Sequence, residues 1–188
     1  AHSAGAMPVS RVHFRRPILE DGVVIGAELE DLLGGETLRC KTKAIINAAG
    51  PWTDAVLETW PGGLPPMLRP SKGIHLVIPR ERLPVSSAVV MNAPQDGRVT
   101  FCIPWGECTY VGTTDTELPP DVDPALPLGA APLRSKAELA ERVEEVRADD
   151  ADVAYLLTVL DHYFPQQRIS GADIVSTWAG VRPLVRQD

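Results

Sequence analysis

Apolar and polar positions alternate over several short stretches of the chain, and a period of two residues predicts β-strands. Three such stretches come first, at residues 11–15, 23–30 and 36–42. The Asp21-Gly22 pair between the first two is typical of a tight hairpin turn. The sequence therefore predicts a three-stranded antiparallel meander at the start of the chain.

The next stretch, residues 43–56, joins an apolar pair to a run of small residues. Ile45 and Ile46 predict a buried strand, which ends in the small residues 48–50. Thr53 and Asp54 would place a cap and a negative charge at the start of a short helix over residues 54–60. A strand that ends without large side chains lets a ligand approach its backbone. The alternative is a tight strand-to-helix connection with no ligand, and the residues alone leave both interpretations open.

A second group of strands follows, and short turns between its members indicate antiparallel pairing. One predicted turn is Asp96-Gly97 and another is residues 105–107. The predicted strands are residues 73–78, 87–91, 98–104, 108–112 and 173–178. The fold class is therefore α+β, with a mostly antiparallel second sheet and flanking helices.

Two helices are predicted between the last two of these strands. A proline-rich linker at residues 119–132 precedes a helix with a capping box at Ser135–Glu138. Asp149 or Asp150 caps the second helix, whose apolar residues keep helical spacing until Pro165 ends it.

Composition narrows the function classes. The 188 residues are 44% hydrophobic, enough for one sizeable core. A net charge of −7 argues against a nucleic-acid partner. No stretch reaches the length of a membrane span. The three cysteines are too few for a disulfide framework, and this favours a cytoplasmic protein with reduced thiols. The chain starts without Met, and we expect it to be part of a longer protein.

Three places carry candidate chemistry. His75 lies at a loop-to-strand transition and suits proton exchange near neutral pH, although a lone histidine is more often a core residue. Arg182 stands between Gly180 and Pro183, where a guanidinium suits capture of a carboxylate or phosphate, or else a surface salt bridge. Residues 113–115, Thr-Thr-Asp, orient a polyol or merely form a turn. The histidines show no metal-ligand spacing, so no metal site is expected.

Five stretches in one order resemble a known family. Together they resemble the FAD-dependent glycerol-3-phosphate dehydrogenases, within the wider family of flavoproteins that includes D-amino-acid and glycine oxidases. The match extends over nearly the whole chain. The stretches are Ile46-Asn-Ala-Ala-Gly-Pro-Trp52, Ser71-Lys-Gly-Ile-His-Leu-Val-Ile-Pro79, Phe101-Cys-Ile-Pro-Trp105, Val111-Gly-Thr-Thr-Asp115 and Trp178-Ala-Gly-Val-Arg-Pro-Leu184.

This resemblance implies hydride transfer from C2 of sn-glycerol 3-phosphate to FAD, which leaves dihydroxyacetone phosphate. Electrons would then pass to a membrane quinone, or to oxygen in oxidase relatives. It also implies a cytoplasmic enzyme, peripheral on the inner membrane, that forms a homodimer.

The resemblance also implies roles for individual residues. Arg182 matches the arginine that holds substrate beside the flavin, and His75 matches the histidine that receives the C2 hydroxyl proton. Thr113 matches a threonine of the same pocket, and Lys72 is a further candidate for substrate charge. Ala49 and Gly50 match the strand end that approaches FAD.

The sequence departs from the family at its edges. The chain contains no Gly-x-Gly-x-x-Gly fingerprint, so most of the FAD pyrophosphate site is missing. We therefore expect residues 1–60 to be part of an FAD-binding domain, a meander and strand-turn-helix. Residues 61–188 are expected to form the substrate-binding domain, with an insertion at 119–148 that adds a helix. Such a fragment alone is expected to be inactive and to lack FAD.

Two alternatives remain open. An amine or amino-acid oxidase of the same flavoprotein family would use Arg182 to bind a carboxylate. A non-catalytic binding module would use its Arg and Lys residues to contact a protein partner.

Overall fold

The computed structural model describes residues 4–118 and 146–186. The chain divides into two compact units, residues 1–67 and residues 68–188. The predicted domain boundary after residue 60 thus falls inside the first unit.

The first unit contains the meander. Its strands are β1 (Val12–Glu20), β2 (Val23–Asp31) and β3 (Thr37–Lys41), paired antiparallel in that order. Asp21 and Gly22 both have positive φ, as the predicted hairpin turn requires. The meander predicted from the alternation is confirmed.

The strand predicted around Ile45 and Ile46 is absent. Residues 43–49 belong to neither sheet of the described chain, and Ile46 is 90% exposed. An apolar β-branched run forms a strand only where a neighbouring strand accepts its backbone hydrogen bonds. A 3₁₀ turn follows at Gly50–Trp52, and helix α1 occupies Thr53–Glu58. The cap position of α1 is Trp52 without a side-chain cap bond, so the predicted cap was wrong, whereas the predicted negative charge of Asp54 does lie in the first turn.

The second unit is an antiparallel sheet with β4 at its centre. Its strands are β4 (Leu68–Pro79), β5 (Val89–Asn92), β6 (Val99–Trp105), β7 (Cys108–Gly112), β8 (Thr116–Glu117) and β9 (Ser176–Val185). The hydrogen-bonded order is β5-β6-β7-β4-β8. Strand β9 lies outside this order and pairs with β4 along ten residues. The predicted strands and their antiparallel pairing are confirmed, with two differences in bounds. Strand β4 is longer than predicted, and β9 begins at Ser176 and not at residue 173 and continues to Val185.

Helix α2 (Asp150–Tyr163) covers one face of this sheet. Leu156, Val159 and Leu160 are fully buried and belong to the same core as the inward residues of β4, Ile74 and Leu76. Asp149 caps the helix and accepts from the backbone of the third helical residue, as one of the two predicted alternatives required. The helix ends before Pro165, also as predicted.

The alternation along β4 decides which side chains meet. Even-numbered residues of the strand point into the core beneath α2. Odd-numbered residues therefore point to the opposite face of the sheet. The predicted helix from Ser135 and the proline-rich linker before it lie outside the described residues.

No helix among the described residues is both long and apolar enough to cross a membrane.

Candidate active site

The candidate site lies on the sheet face opposite α2, where three strands bring distant residues together. His75 on β4 stands opposite Gly112 on β7 and opposite Trp178 on β9. Four residues before His75 on the same strand, Ser71 stands opposite Arg182. The register of these pairs thus places residues separated by more than one hundred positions along the chain on one surface.

Two glycines leave the space that the site side chains occupy. A Cβ atom at Gly73 would stand 2.6 Å from Thr113 Oγ1 and 2.8 Å from Arg182 Cζ. A Cβ atom at Gly112 would stand 2.7 Å from His75 Cγ. All three distances are shorter than van der Waals contact. The guanidinium of Arg182 and the imidazole of His75 therefore rest directly on the backbone.

Arg182 donates four hydrogen bonds from the two terminal nitrogens of its guanidinium. Nη2 donates to Thr113 Oγ1 at 2.8 Å and to the main-chain oxygen of Thr114 at 3.0 Å. Nη1 donates to Asp115 Oδ1 at 3.2 Å and to Ser71 Oγ at 3.4 Å. The segment that follows β7 thus binds the guanidinium, and the structure brings the predicted residues Arg182 and Thr113 into contact.

His75 is half-buried and stacked on an aromatic ring. Its imidazole lies against the indole of Trp178, with ring centroids 4.3 Å apart and planes inclined by 19°. Burial lowers the pKa of His75 below its usual 6.5, and the positive charge of Arg182 lowers this pKa further. His75 is therefore neutral at pH 7 and can accept a proton.

Two open pockets adjoin His75. One of about 230 Å³ is lined by Gly73, His75, Thr113, Trp178 and Arg182, among others, and so contains the predicted polar residues. The other, of about 660 Å³, is mainly apolar and is lined by His75, Val77, Ile103, Trp105, Tyr110 and Trp178, with Ser176 at its edge. A small pocket that contains an imidazole and a guanidinium, beside a larger apolar one, suits a small charged substrate next to a flat apolar group.

Lys72 is not brought to this surface. As an even-numbered residue of β4 it points toward α2, is 3% exposed, and its Nζ lies 2.7 Å from both Asp149 Oδ2 and Asp152 Oδ2. Burial alone would lower the pKa of Lys72, but hydrogen bonds and charges of both aspartates raise it above its usual value. The predicted substrate-binding role of Lys72 is therefore not supported, because strand alternation sends its ammonium to the other face and the helix cap occupies it.

Ala49 and Gly50, the predicted flavin-contacting residues, lie in the first unit. The side chain of Asn47 organises their loop, since it accepts from Ala49 N at 3.2 Å and donates to the Thr53 oxygen at 3.0 Å. Gly50 has φ +57°, and no atom lies within 4 Å of the position of a Cβ atom there. The loop therefore presents open backbone held in a defined conformation.

The sequence identified His75, Thr113 and Arg182 but not the residues that hold them. Asp115 and Ser71 contact the guanidinium, and Gly73 and Gly112 make room for it and for the imidazole. The alternating Ser71-x-Gly73-x-His75 pattern was the available signal, because these three share one face of a strand.

Comparison with known proteins identifies the family. The family model described as DAO, FAD dependent oxidoreductase, matches residues 8–188. This chain belongs to that family. Alpha-glycerophosphate oxidase of Streptococcus pyogenes serotype M3 is 36% identical over 188 residues, which cover 98% of this FAD-dependent oxidoreductase chain and 27% of the relative. Aerobic glycerol-3-phosphate dehydrogenase of Bacillus subtilis (strain 168) is 33% identical over 184 residues, covering 98% and 29%.

A solved structure is similar as well. The glycerol-3-phosphate dehydrogenase from Bacillus halodurans, complexed with FAD, matches with a TM-score of 0.75 and 32% identity. The match covers 98% of this oxidoreductase chain and 33% of that structure. The chain thus spans between a quarter and a third of the length of the relatives it matches.

Proposed function

We propose that the complete protein containing this chain oxidises sn-glycerol 3-phosphate at C2 to dihydroxyacetone phosphate, with FAD as the hydride acceptor. The observation that carries this proposal is the meeting of His75, Thr113 and Arg182 on one sheet face around a small pocket. The names of the relatives support the same substrate.

His75 is the proton acceptor in this proposal. Oxidation of a secondary alcohol removes a hydride from carbon and a proton from the hydroxyl group. The lowered pKa of His75 keeps its imidazole neutral, so that it can take the C2 hydroxyl proton. Stacking on Trp178 fixes the plane of the ring and hence the direction from which the proton is accepted.

Arg182 supplies fixed positive charge beside His75. Loss of the hydroxyl proton places negative charge on the substrate oxygen, and a cation held in place before the reaction stabilises that charge. Thr113 holds the guanidinium by accepting from Nη2. Because the four Nη hydrogens all have protein partners, Arg182 acts on the substrate through its charge, or by exchanging one of these partners for a substrate oxygen.

The residues of this chain fit part of an FAD site. Ala49 and Gly50 would hold the cofactor from the first unit, because the space beside the Gly50 backbone is open. The chain has no Gly-x-Gly-x-x-Gly, so we assign it no part in binding the pyrophosphate. FAD, when bound to the complete protein, supplies the acceptor for the hydride that leaves C2.

We also propose that the electrons pass on to a membrane quinone and that the enzyme works as a homodimer at the cytoplasmic surface of the inner membrane. The dehydrogenase names among the relatives favour an acceptor other than oxygen, and a quinone is our candidate for it. Oxygen is the second candidate, because the relative at 36% identity is named an oxidase. Oxygen consumption measured against reduction of a soluble quinone analogue distinguishes the two acceptors, and light scattering measures the oligomeric state.

The central test is anaerobic flavin reduction in the complete protein. We expect glycerol 3-phosphate to bleach the flavin absorbance, and a panel of amino acids and amines to leave it unchanged. The variants His75→Ala and Arg182→Ala should each slow this reduction by at least about 100-fold.

Two results would contradict the proposal. Flavin reduction by an amino acid or amine but not by glycerol 3-phosphate would favour an amine or amino-acid oxidase. Unchanged reduction rates in both variants, with flavin content intact, would favour a binding module in which these residues contact a partner.

A further inference from the structure

Arg182 has one carboxylate partner in the described part of the chain, and that carboxylate belongs to Asp115. Asp115 follows strand β7 by three residues and its side chain is 51% exposed, whereas the Arg182 side chain is 34% exposed. An ion pair exposed to this extent contributes little to stability. The presence of this pair beside the proposed substrate pocket is therefore better explained by a role in the site than by stability.

Asp115 is itself held at two points. Its carboxylate accepts from the hydroxyl of Ser71, which is buried, and its main-chain oxygen accepts from the guanidinium of Arg98. Ser71 is also the residue opposite Arg182 in the β4–β9 register. The carboxylate is thus fixed from strand β4 and from the β6 side before it meets Arg182.

The guanidinium has little freedom on its other sides. Its Nη2 edge is bound by Thr113 and Thr114, and its plane rests against the backbone of Gly73. The edge that bears Nη1 faces only Ser71 and Asp115 among the described residues. Of these two contacts, the one to Asp115 is shorter and carries charge on both partners.

We propose that Asp115 is a positioning residue that fixes the guanidinium of Arg182 over Gly73, at the distance from His75 that the reaction needs. Asp115 does not touch the substrate. It acts by keeping Nη1 in place, so that the positive charge stays beside the hydroxyl oxygen that loses its proton. This inference rests on the proposed function, since it assigns Asp115 a part in the same reaction.

A double-mutant cycle in the complete protein tests the inference. Asp115→Asn removes the charge but keeps an acceptor for Ser71, and Arg182→Ala removes the group to be positioned. We expect Asp115→Asn to slow flavin reduction by glycerol 3-phosphate by about 10- to 100-fold with Arg182 present, and by less than about 2-fold in the Arg182→Ala background. In steady state kcat should fall by more than KM rises, because the interaction matters chiefly in the transition state.

The matched control is Glu117→Gln. Glu117 pairs with Arg69 on the same sheet, with both side chains about 60% exposed, and has no contact with Arg182. This variant should react at the rate of the unmodified protein. Asp115→Glu, which keeps the charge, should recover part of the rate lost in Asp115→Asn.

A crystal structure of Asp115→Asn gives a readout independent of activity. We expect Arg182 to leave its position over Gly73 or to occupy more than one conformation. An equal loss of rate in both backgrounds, or a guanidinium that stays in place in the variant crystal, would overturn the inference. Failure of glycerol 3-phosphate to reduce the unmodified protein would instead refute the proposed function, and the crystal structure would still decide whether Asp115 positions Arg182.

Discussion

Gly73→Ala is expected to displace the reacting groups without removing any of them. The added methyl group would stand 2.8 Å from Arg182 Cζ and 2.6 Å from Thr113 Oγ1. Carbon atoms approach to roughly 3.5 Å, so the guanidinium must move by at least about 0.7 Å. A shift of this size breaks the 2.8 Å bond from Nη2 to Thr113.

Misplacement of about 1 Å costs as much as 100-fold in rate, which corresponds to about 2.7 kcal/mol of transition-state stabilisation. We therefore expect kcat/KM for glycerol 3-phosphate to fall between about 10- and 100-fold in Gly73→Ala. The assay is steady-state kinetics of the complete protein, normalised to bound flavin. The melting temperature should change little, because the atoms nearest the added methyl group are side-chain ends and not backbone.

The matched control is Gly171→Ala, at the start of a 3₁₀ turn remote from the site. No atom lies within 4 Å of the Cβ position there, and the residue has no positive φ. The Gly171→Ala variant measures how replacing a glycine by alanine affects the protein where the methyl group meets no neighbour. Full activity in Gly73→Ala would refute the reasoning, because it would mean that the position of Arg182 over β4 does not matter for turnover.

Three further predictions concern the proton acceptor and the packing beneath it. His75→Gln should lower kcat at least about 100-fold. In the unmodified protein kcat/KM should rise with pH through a pKa below 6.5, because burial favours the neutral imidazole of His75. If the same rise persists in His75→Gln, the titration belongs to another group. Lys72→Met should lower the free energy of unfolding by about 3–5 kcal/mol at pH 7, because it leaves the carboxylates of Asp149 and Asp152 without a cation; urea unfolding measures this loss. Burial raises the pKa of Asp149, but the hydrogen bond from Lys72 and other contacts bring it below its usual value, so the loss should shrink as falling pH protonates Asp149. Leu160→Ala should cost about 2–5 kcal/mol in the same assay, since the side chain is fully buried in the core, and a loss below about 1 kcal/mol would contradict that packing.

Local pattern was sufficient for most of the fold. Alternation identified β1, β2 and β6, turn residues identified the hairpin at Asp21-Gly22, and helical spacing with a cap at Asp149 identified α2. These features depend on interactions within a few residues of the chain, which the sequence displays directly. The strand predicted at Ile45 and Ile46 failed because a strand also requires a neighbour, and no local pattern reports whether a neighbour is in place.

The identity of the site residues came from the sequence, because the ordered motifs around His75, Thr113 and Arg182 resemble one family. Their arrangement came only from the tertiary structure. The pairing of β9 with β4 brings Arg182 opposite Ser71, and the pairing of β7 with β4 brings Gly112 opposite His75. Such pairs join positions far apart in the chain, and their register depends on the packing of the whole sheet.

The difference between residue identity and residue arrangement also explains why the sequence did not reveal the roles of Lys72 and Asp115. Lys72 and His75 are three positions apart, yet the pleat of β4 sends one beneath α2 and the other to the open face. Asp115 lies in a Thr-Thr-Asp stretch that is typical of a turn, and in the structure its carboxylate pairs with the guanidinium of Arg182. Residue type thus determined which chemistry this protein carries, whereas the pleat and pairing of its strands decided which of those groups meet, because only folding sets distances between residues remote in sequence.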